Sequence, residues 1–343
     1  MERREQWSKQ DKKQLAIFAI VNFGMTVIMG ILMGISYRSG NAVEPFPAAQ
    51  MMYPAAGVII AFMVTMGKEK KLPYKFFITY LAVAAIAILL TVGSVIYPSA
   101  IWYAAQNYVF MIGSILAWIM LFCEKKDVRR NFFPHFEKRN IKGSFGLVFL
   151  FFVIYILRLL VAGLTDGSVG EVMAVLALPA TWFMLVVVYI NFYLTFIIFF
   201  GEEYGWRFFL QPILQKRFGL KGGVILLGVI WGLWHLPINV FYYSPDTWFY
   251  SILMHQITCI SFSIFFGYAY KKTGNLWVPI LIHYINNNMA VVITQSADLG
   301  NQVYRWQDVL FLLVINGICF VPFLFTKVFK EEERELPGKE ADF

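Results

Sequence analysis

Apolar residues recur along the whole chain in runs of about 20, long enough to span a bilayer as helices. There are ten such runs, at about 14–36, 51–67, 76–97, 101–123, 144–164, 172–200, 223–241, 248–270, 275–294 and 308–326. The second is short. The sixth is expected to continue as helix past Gly201, because the pattern does not break until Pro212. The pattern predicts an all-α fold, a polytopic transmembrane helix bundle of about ten spans. No water-soluble stretch is long enough to form a domain of its own. The first run is longer than a typical h-region and no clean small-x-small site follows it, so it is expected to stay as a permanent helix.

Composition agrees with the pattern. Apolar residues make up 59% of the chain and charged residues 15%, against roughly 25% charged in a soluble domain. The charges between the runs set an orientation. Positive residues crowd before span one (Arg3, Arg4, Lys9, Lys12, Lys13), after span two (Lys68, Lys70, Lys71, Lys75) and after span four (Lys125, Lys126, Arg129, Arg130, Lys138, Arg139, Lys142). Lys216, Arg217 and Lys221 follow span six, and Lys271 and Lys272 follow span eight. The alternate loops carry Arg38 and Arg305 beside the acids Glu44, Asp166, Asp246 and Asp298. The positive-inside rule therefore puts both termini in the cytoplasm. The net charge of +8 needs no nucleic acid, because basic loops meeting anionic membrane lipids account for it. The three cysteines, Cys123, Cys259 and Cys319, show neither metal spacing nor a disulfide pattern and read as small packing residues. The tail from Lys330 is charged and reads as solvated.

Against this background two adjacent acids stand out, Glu202 and Glu203, inside the run Phe196 to Leu210. The seven aspartates lie in loops, span edges or tails, and Glu171 opens a span. Only Arg158 and Arg207 join the two glutamates inside apolar stretches. Ionisable groups at membrane depth cost several kcal/mol, so they mark function by default. Residues four apart on a helix share a face. Glu203 is thus expected to pair with Arg207. Glu202 points about 100° away and is expected to lack a local partner, which makes it a plausible general base. A structural ion pair beside a polar residue in a water-filled groove accounts for the same two acids.

Of the four histidines, His135 lies in a basic loop and reads as solvated, and His255 lies in span eight near its outer end. His235 and His283 fall inside apolar spans. Trp231 is one turn before His235, and Asn287 is one turn after His283. Counted from the cytoplasmic ends of their helices, Glu202, His235 and His283 lie at depths of roughly 14 to 20 Å, at 1.5 Å per residue. That shared level predicts one site between helices, in a cavity opening to the cytoplasm. The chain has no Gly-x-Ser-x-Gly run, no aspartate well inside a span and no His-Glu-x-x-His. Water activated by a carboxylate, with imidazole and amide groups holding developing negative charge, remains.

Glu202-Glu203-x-x-x-Arg207, then Trp231-x-x-x-His235, then His283-x-x-x-Asn287 resemble the three motifs of the CPBP family, which comprises the CAAX prenyl endopeptidases and the bacteriocin-processing or immunity (Abi) proteins. The second motif normally begins with Phe, and here with Trp231. The resemblance covers about 90 residues of the C-terminal half. It implies an intramembrane glutamic endopeptidase with no cofactor and no metal. By that carry-over Glu202 and His235 activate water, Arg207 holds Glu203, and His283 with Asn287 forms the oxyanion site. Three regions follow: spans one to four with the basic loop at 1–143, a CAAX-protease-like catalytic core at 144–329, and the charged tail at 330–343. The expected substrate is a peptide or a lipidated, possibly prenylated, membrane-anchored protein cut near the cytoplasmic face. The expected location is the plasma membrane of a prokaryote. Two other readings stay open at this point. One is a non-catalytic immunity or partner-binding membrane protein. The other is a zinc peptidase with Glu202, His235 and His283 as ligands.

Overall fold

The computed structural model describes residues 6–67, 71–294 and 299–330, and among them the only regular elements are helices. In chain order these are α1 (Lys9–Arg38), α2 (Pro45–Gln50), α3 (Tyr53–Met66), α4 (Tyr74–Ile96), α5 (Ile101–Cys123), α6 (Lys126–Phe132) and α7 (Ile141–Asp166). There follow α8 (Val169–Ala177), α9 (Pro179–Glu203), α10 (Gln211–Trp234), α11 (Leu236–Ile238), α12 (Trp248–Thr273), α13 (Trp277–Thr294) and α14 (Trp306–Phe320). The protein is an integral membrane helix bundle, as the hydropathy pattern predicts. Side chains such as Ile20, Leu89, Phe149 and Ile318 are exposed, as befits a lipid-facing surface.

Eight described stretches are long and apolar enough to cross a membrane. One of them, Pro179–Trp234, has 56 residues and turns at Gly219, whose backbone (φ 78°, ψ 164°) is not helical. It therefore supplies two of the expected passes. Trp277–Ile293 is a shorter apolar helix and supplies another. Two boundaries differ from expectation. The short second span begins earlier, because α2 and α3 together run from Pro45 to Met66. The sixth run is cut at Leu178, which is extended ahead of Pro179, as sterics before a proline require.

Helix does persist past Gly201, and Pro212 does not end it. Residues Tyr204–Leu210 form a π-helical segment, so the turn facing the Pro212 ring is already widened. That relieves the clash a proline makes with the carbonyl four residues back. The π segment also brings α9 close to the N-terminal spans. A Cβ on Gly201 would run into the Met51 carbonyl and the Tyr80 hydroxyl, and one on Gly205 into Pro54. Gly205→Ala is expected to cost about 1–3 kcal/mol, the usual cost of overpacking, read as a lower melting temperature in detergent. An unchanged melt would show that α3 yields at this contact.

The bundle has two distinct ends. At the lysine-rich end Trp7 Nε1 donates to the Ile213 carbonyl at 2.9 Å, and Lys216 pairs with Asp11 at 3.4 Å. There too, Leu276 N donates to the Pro134 carbonyl at 2.9 Å, and Asn140 Nδ2 to the Thr273 carbonyl at 3.1 Å. At the opposite end, Asn301 N and Gln302 N donate to the carbonyls of Tyr242 and Tyr243 at 3.0 and 2.7 Å. Tyr37 lies against Phe241 there, ring centroids 5.8 Å apart. Of the charges used to read the loops, Arg3, Arg4, Lys68, Lys70 and Asp298 lie outside the described residues, as does the tail beyond Lys330. One core cluster runs from Phe18 to Phe329, so spans one to four pack into the same interior as the later ones.

Candidate active site

Glu202 and Glu203 close α9 just before the π segment, and both are buried. Arg207 Nε lies 3.1 Å from Glu203 Oε2, with both side chains fully buried. The N–H directions there do not meet hydrogen-bond geometry, so the contact is ionic. The guanidinium also stacks on two rings, 4.3 Å above Trp231 and 4.9 Å from Phe266. Glu203 has a second partner that helical spacing does not reveal. His283 Nδ1 lies 2.8 Å from its Oε1. A carboxylate only accepts, so Nδ1–H is the donor and Nε2 is the nitrogen left for other work.

Helical spacing leaves Glu202 without a local partner, but the structure gives it one. Its Oε2 accepts from Trp206 Nε1 at 3.3 Å and from Trp231 Nε1 at 2.7 Å. Trp206 is at i+4 from Glu202, the same spacing that joins Glu203 to Arg207. The signal was present in the sequence, but tryptophan reads there as packing, although its indole N–H is an obligate donor. With Oε2 committed to two indoles, Oε1 is the oxygen left to receive a proton.

His235 caps α10 and precedes the short α11, where Pro237 sits in the first turn and its missing N–H is tolerated. Its Nδ1 lies 2.8 Å from the Trp231 carbonyl. A carbonyl cannot donate, so Nδ1 carries the hydrogen and Nε2 is the basic nitrogen. The residue is held from both sides. Asn239 Nδ2 donates to the His235 carbonyl at 3.1 Å, and Ser251 Oγ donates to Asn239 Oδ1 at 2.7 Å. On α13, Asn287 Oδ1 accepts from Asn286 Nδ2 at 3.1 Å, which leaves the Asn287 NH2 as its free donor.

Glu202, His235, His283 and Asn287 line one cavity of about 80 Å3, room for water and a small part of a substrate. Glu203 and Arg207 do not reach it; they sit behind His283 and Trp231. Sequence reasoning missed two contributions to the lining. Pro47 and Met51 come from the N-terminal spans, outside any motif. His255 and Tyr243 line it too, stacked with ring centroids 5.0 Å apart; His255 lies 4.7 Å from the His235 ring. His135 is half-buried, its Nδ1 on the Phe133 carbonyl at 3.1 Å, and is remote from this site. Cys259 lines the cavity as a free thiol.

On α12 every residue from 261 to 270 is buried, while 254 to 258 are half-exposed. On α13 residues 282 to 284 are buried, and 285 to 288 are half-exposed. Phe262 and Trp231 belong to the lining of the cavity as well. Pro47 and Tyr243 also line it, and the Tyr243 carbonyl accepts from Gln302 N.

Among the described residues, no group of three His, Cys, Asp or Glu side chains is placed to hold a metal ion. The polar contacts of Glu202, His235 and His283 go to indoles, a backbone carbonyl and Glu203, which is not the converging ligand set of an open zinc site.

Residues 179–289 match the family model for type II CAAX prenyl endopeptidase Rce1-like proteins. This segment is Rce1-like. No curated protein and no solved structure matches the chain. The Rce1-like segment begins with α9 and ends two residues past Asn287, so it contains Glu202, Glu203, Arg207, His235, His283 and Asn287. Helices α1 to α8 and α14 lie outside it, although α2 and the turn before α3 supply part of the cavity wall.

Proposed function

We propose that the chain is a glutamate-dependent intramembrane endopeptidase whose chemistry is carried by residues 144–329 and braced by 1–143. The observation that carries this reading is the meeting of Glu202, His235, His283 and Asn287 in one cavity inside an Rce1-like segment. Glu202 Oε1, with His235 Nε2 beside the same cavity, takes a proton from water. The hydroxide attacks the scissile carbonyl. The resulting oxyanion is held by Asn287 Nδ2–H and, when His283 carries a hydrogen on both ring nitrogens, by its Nε2–H, with Nδ1–H staying on Glu203. Collapse breaks the C–N bond, and the proton held by Glu202 or His235 passes to the leaving amine. Arg207 and Glu203 are positioning residues in this scheme. The substrate is a peptide or a membrane-anchored protein. The basic loops and both termini face the cytoplasm, supported by the distribution of lysine and arginine.

The test uses purified protein in detergent and a library of quenched fluorescent peptides. Wild type is expected to cleave. Asn287→Ala is expected to lower kcat by about two to three orders of magnitude, the effect of losing one oxyanion donor, with KM little changed. Cleavage at the wild-type rate by Asn287→Ala would remove that residue from the oxyanion site. No cleavage of any peptide, lipidated ones included, would leave a binding role as the better account.

A further inference from the structure

We infer that Asn286 is a positioning residue for the oxyanion site. It turns the Asn287 amide so that the NH2 group, and not the carbonyl oxygen, is left for the substrate. The inference rests on the endopeptidase reading and deepens it by naming the residue that orients the donor.

An amide side chain has two opposite edges of nearly the same size. One donates and the other accepts. In one orientation Asn287 stabilises a developing oxyanion. Turned over about its last bond, it sets a carbonyl dipole against that charge. Shape does not choose between the two, so a hydrogen-bond partner has to. Asn286 Nδ2 donates to Asn287 Oδ1 at 3.1 Å. Among the described residues no other hydrogen bond holds the Asn287 side chain. The two residues are adjacent on α13, about 100° apart around its axis, and both line the cavity. The third asparagine of the run is committed elsewhere, because Asn288 Nδ2 donates to the Tyr284 carbonyl at 2.9 Å.

The other reactive groups are fixed in the same manner. His235 Nδ1 is on the Trp231 carbonyl at 2.8 Å, Glu202 Oε2 on two indoles, and His283 Nδ1 on Glu203 at 2.8 Å. Each spends one polar atom on a protein partner and keeps another for the reaction. Asn287 follows this pattern only through Asn286. It is half-exposed, and without that bond its amide is free to turn, since water satisfies either edge.

The test places two substitutions at position 286 in purified protein and measures kcat and KM for the fluorescent peptides, with a thermal melt beside them. Asn286→Asp keeps the shape but, ionised at pH 9, offers only acceptors. Asn287 is then drawn round to donate to it and turns Oδ1 to the cavity. At pH 9 kcat is expected to fall by about two to three orders of magnitude, as for a lost oxyanion donor, with KM little changed. Asn286→Ala removes the hydrogen bond without reversing the amide. Its kcat is expected to fall about two- to tenfold, the worth of one ordinary hydrogen bond. A merely structural role predicts the opposite order, since alanine removes more of the side chain. In an Asn287→Ala background neither substitution should lower kcat further, because no amide is left to orient.

Wild-type kcat in Asn286→Asp overturns the inference, since Asn287 would then donate to Asn286 and not accept from it. An undiminished loss in the Asn287→Ala background overturns it too, by making the charge of the new carboxylate the cause. If Asn286→Asp does not fold, Asn286→Ala decides: a loss confined to protein that retains Asn287 supports the inference, and equal losses with and without Asn287 overturn it. These outcomes leave the endopeptidase reading standing. Wild-type protein that cleaves no peptide sinks that reading, and the inference with it.

Discussion

Glu202→Gln is expected to lower peptide cleavage by about two to four orders of magnitude, the usual range for a lost general base, while the protein stays folded. Glutamine keeps the shape and retains an oxygen that accepts from Trp206 and Trp231, now at 3.3 and 2.7 Å. The local hydrogen bonds therefore survive. What it lacks is a carboxylate oxygen able to take a proton from water. The measurement is kcat in detergent alongside a thermal melt. A collapse of the melt would mean that the loss was structural. Full activity with an intact melt would withdraw the catalytic assignment of Glu202 and favour a partner-binding role. His235→Ala serves as the companion. If both residues act on one water, the double variant should be hardly worse than either single one.

Arg207→Ala should destabilise the protein by about 3–5 kcal/mol, the cost of leaving one member of a buried ion pair without its partner. Glu203 is fully buried and would keep only His283, at 2.8 Å. The guanidinium also fills the space between Trp231 and Phe266, so packing is lost together with charge. The double variant Glu203→Gln with Arg207→Met separates the two effects. Removing both charges while keeping volume is expected to restore most of the melting temperature, because a buried pair stabilises little beyond an apolar replacement. Activity should stay low in both variants, since the double variant removes the carboxylate that holds His283 Nδ1 and Arg207→Ala removes the cation that fixes that carboxylate. A melting temperature for Arg207→Ala equal to that of wild type would show that the pair contributes nothing to stability.

Several parts of this arrangement were legible in the sequence because they depend on local geometry alone. Apolar runs of bilayer length mark the passes, and the lysine and arginine clusters divide the loops into two ends. Glu203 and Arg207 meet because four residues make about one helical turn. The same rule gives Trp206 to Glu202, which only the habit of treating tryptophan as filler concealed. The level of Glu202, His235 and His283 followed from counting residues at a fixed rise.

Other parts have no local signature. His283 joins Glu203 across 80 positions, and Trp231 joins Glu202 across 29. Each pairing depends on how two helices are rotated about their own axes, which hydropathy does not encode when the helices are apolar on all sides. Pro47 and Met51 reach the cavity because Gly201 and Gly205 let α3 approach the π segment, and neither residue carries a chemical clue. By itself, then, the sequence determined the all-helical class of the bundle, the two charged ends and one ion pair, since all of these are properties of single helices and their termini. Tertiary structure alone decided which carboxylate holds which imidazole and what the N-terminal spans contribute, because packing between helices sets which side chains meet.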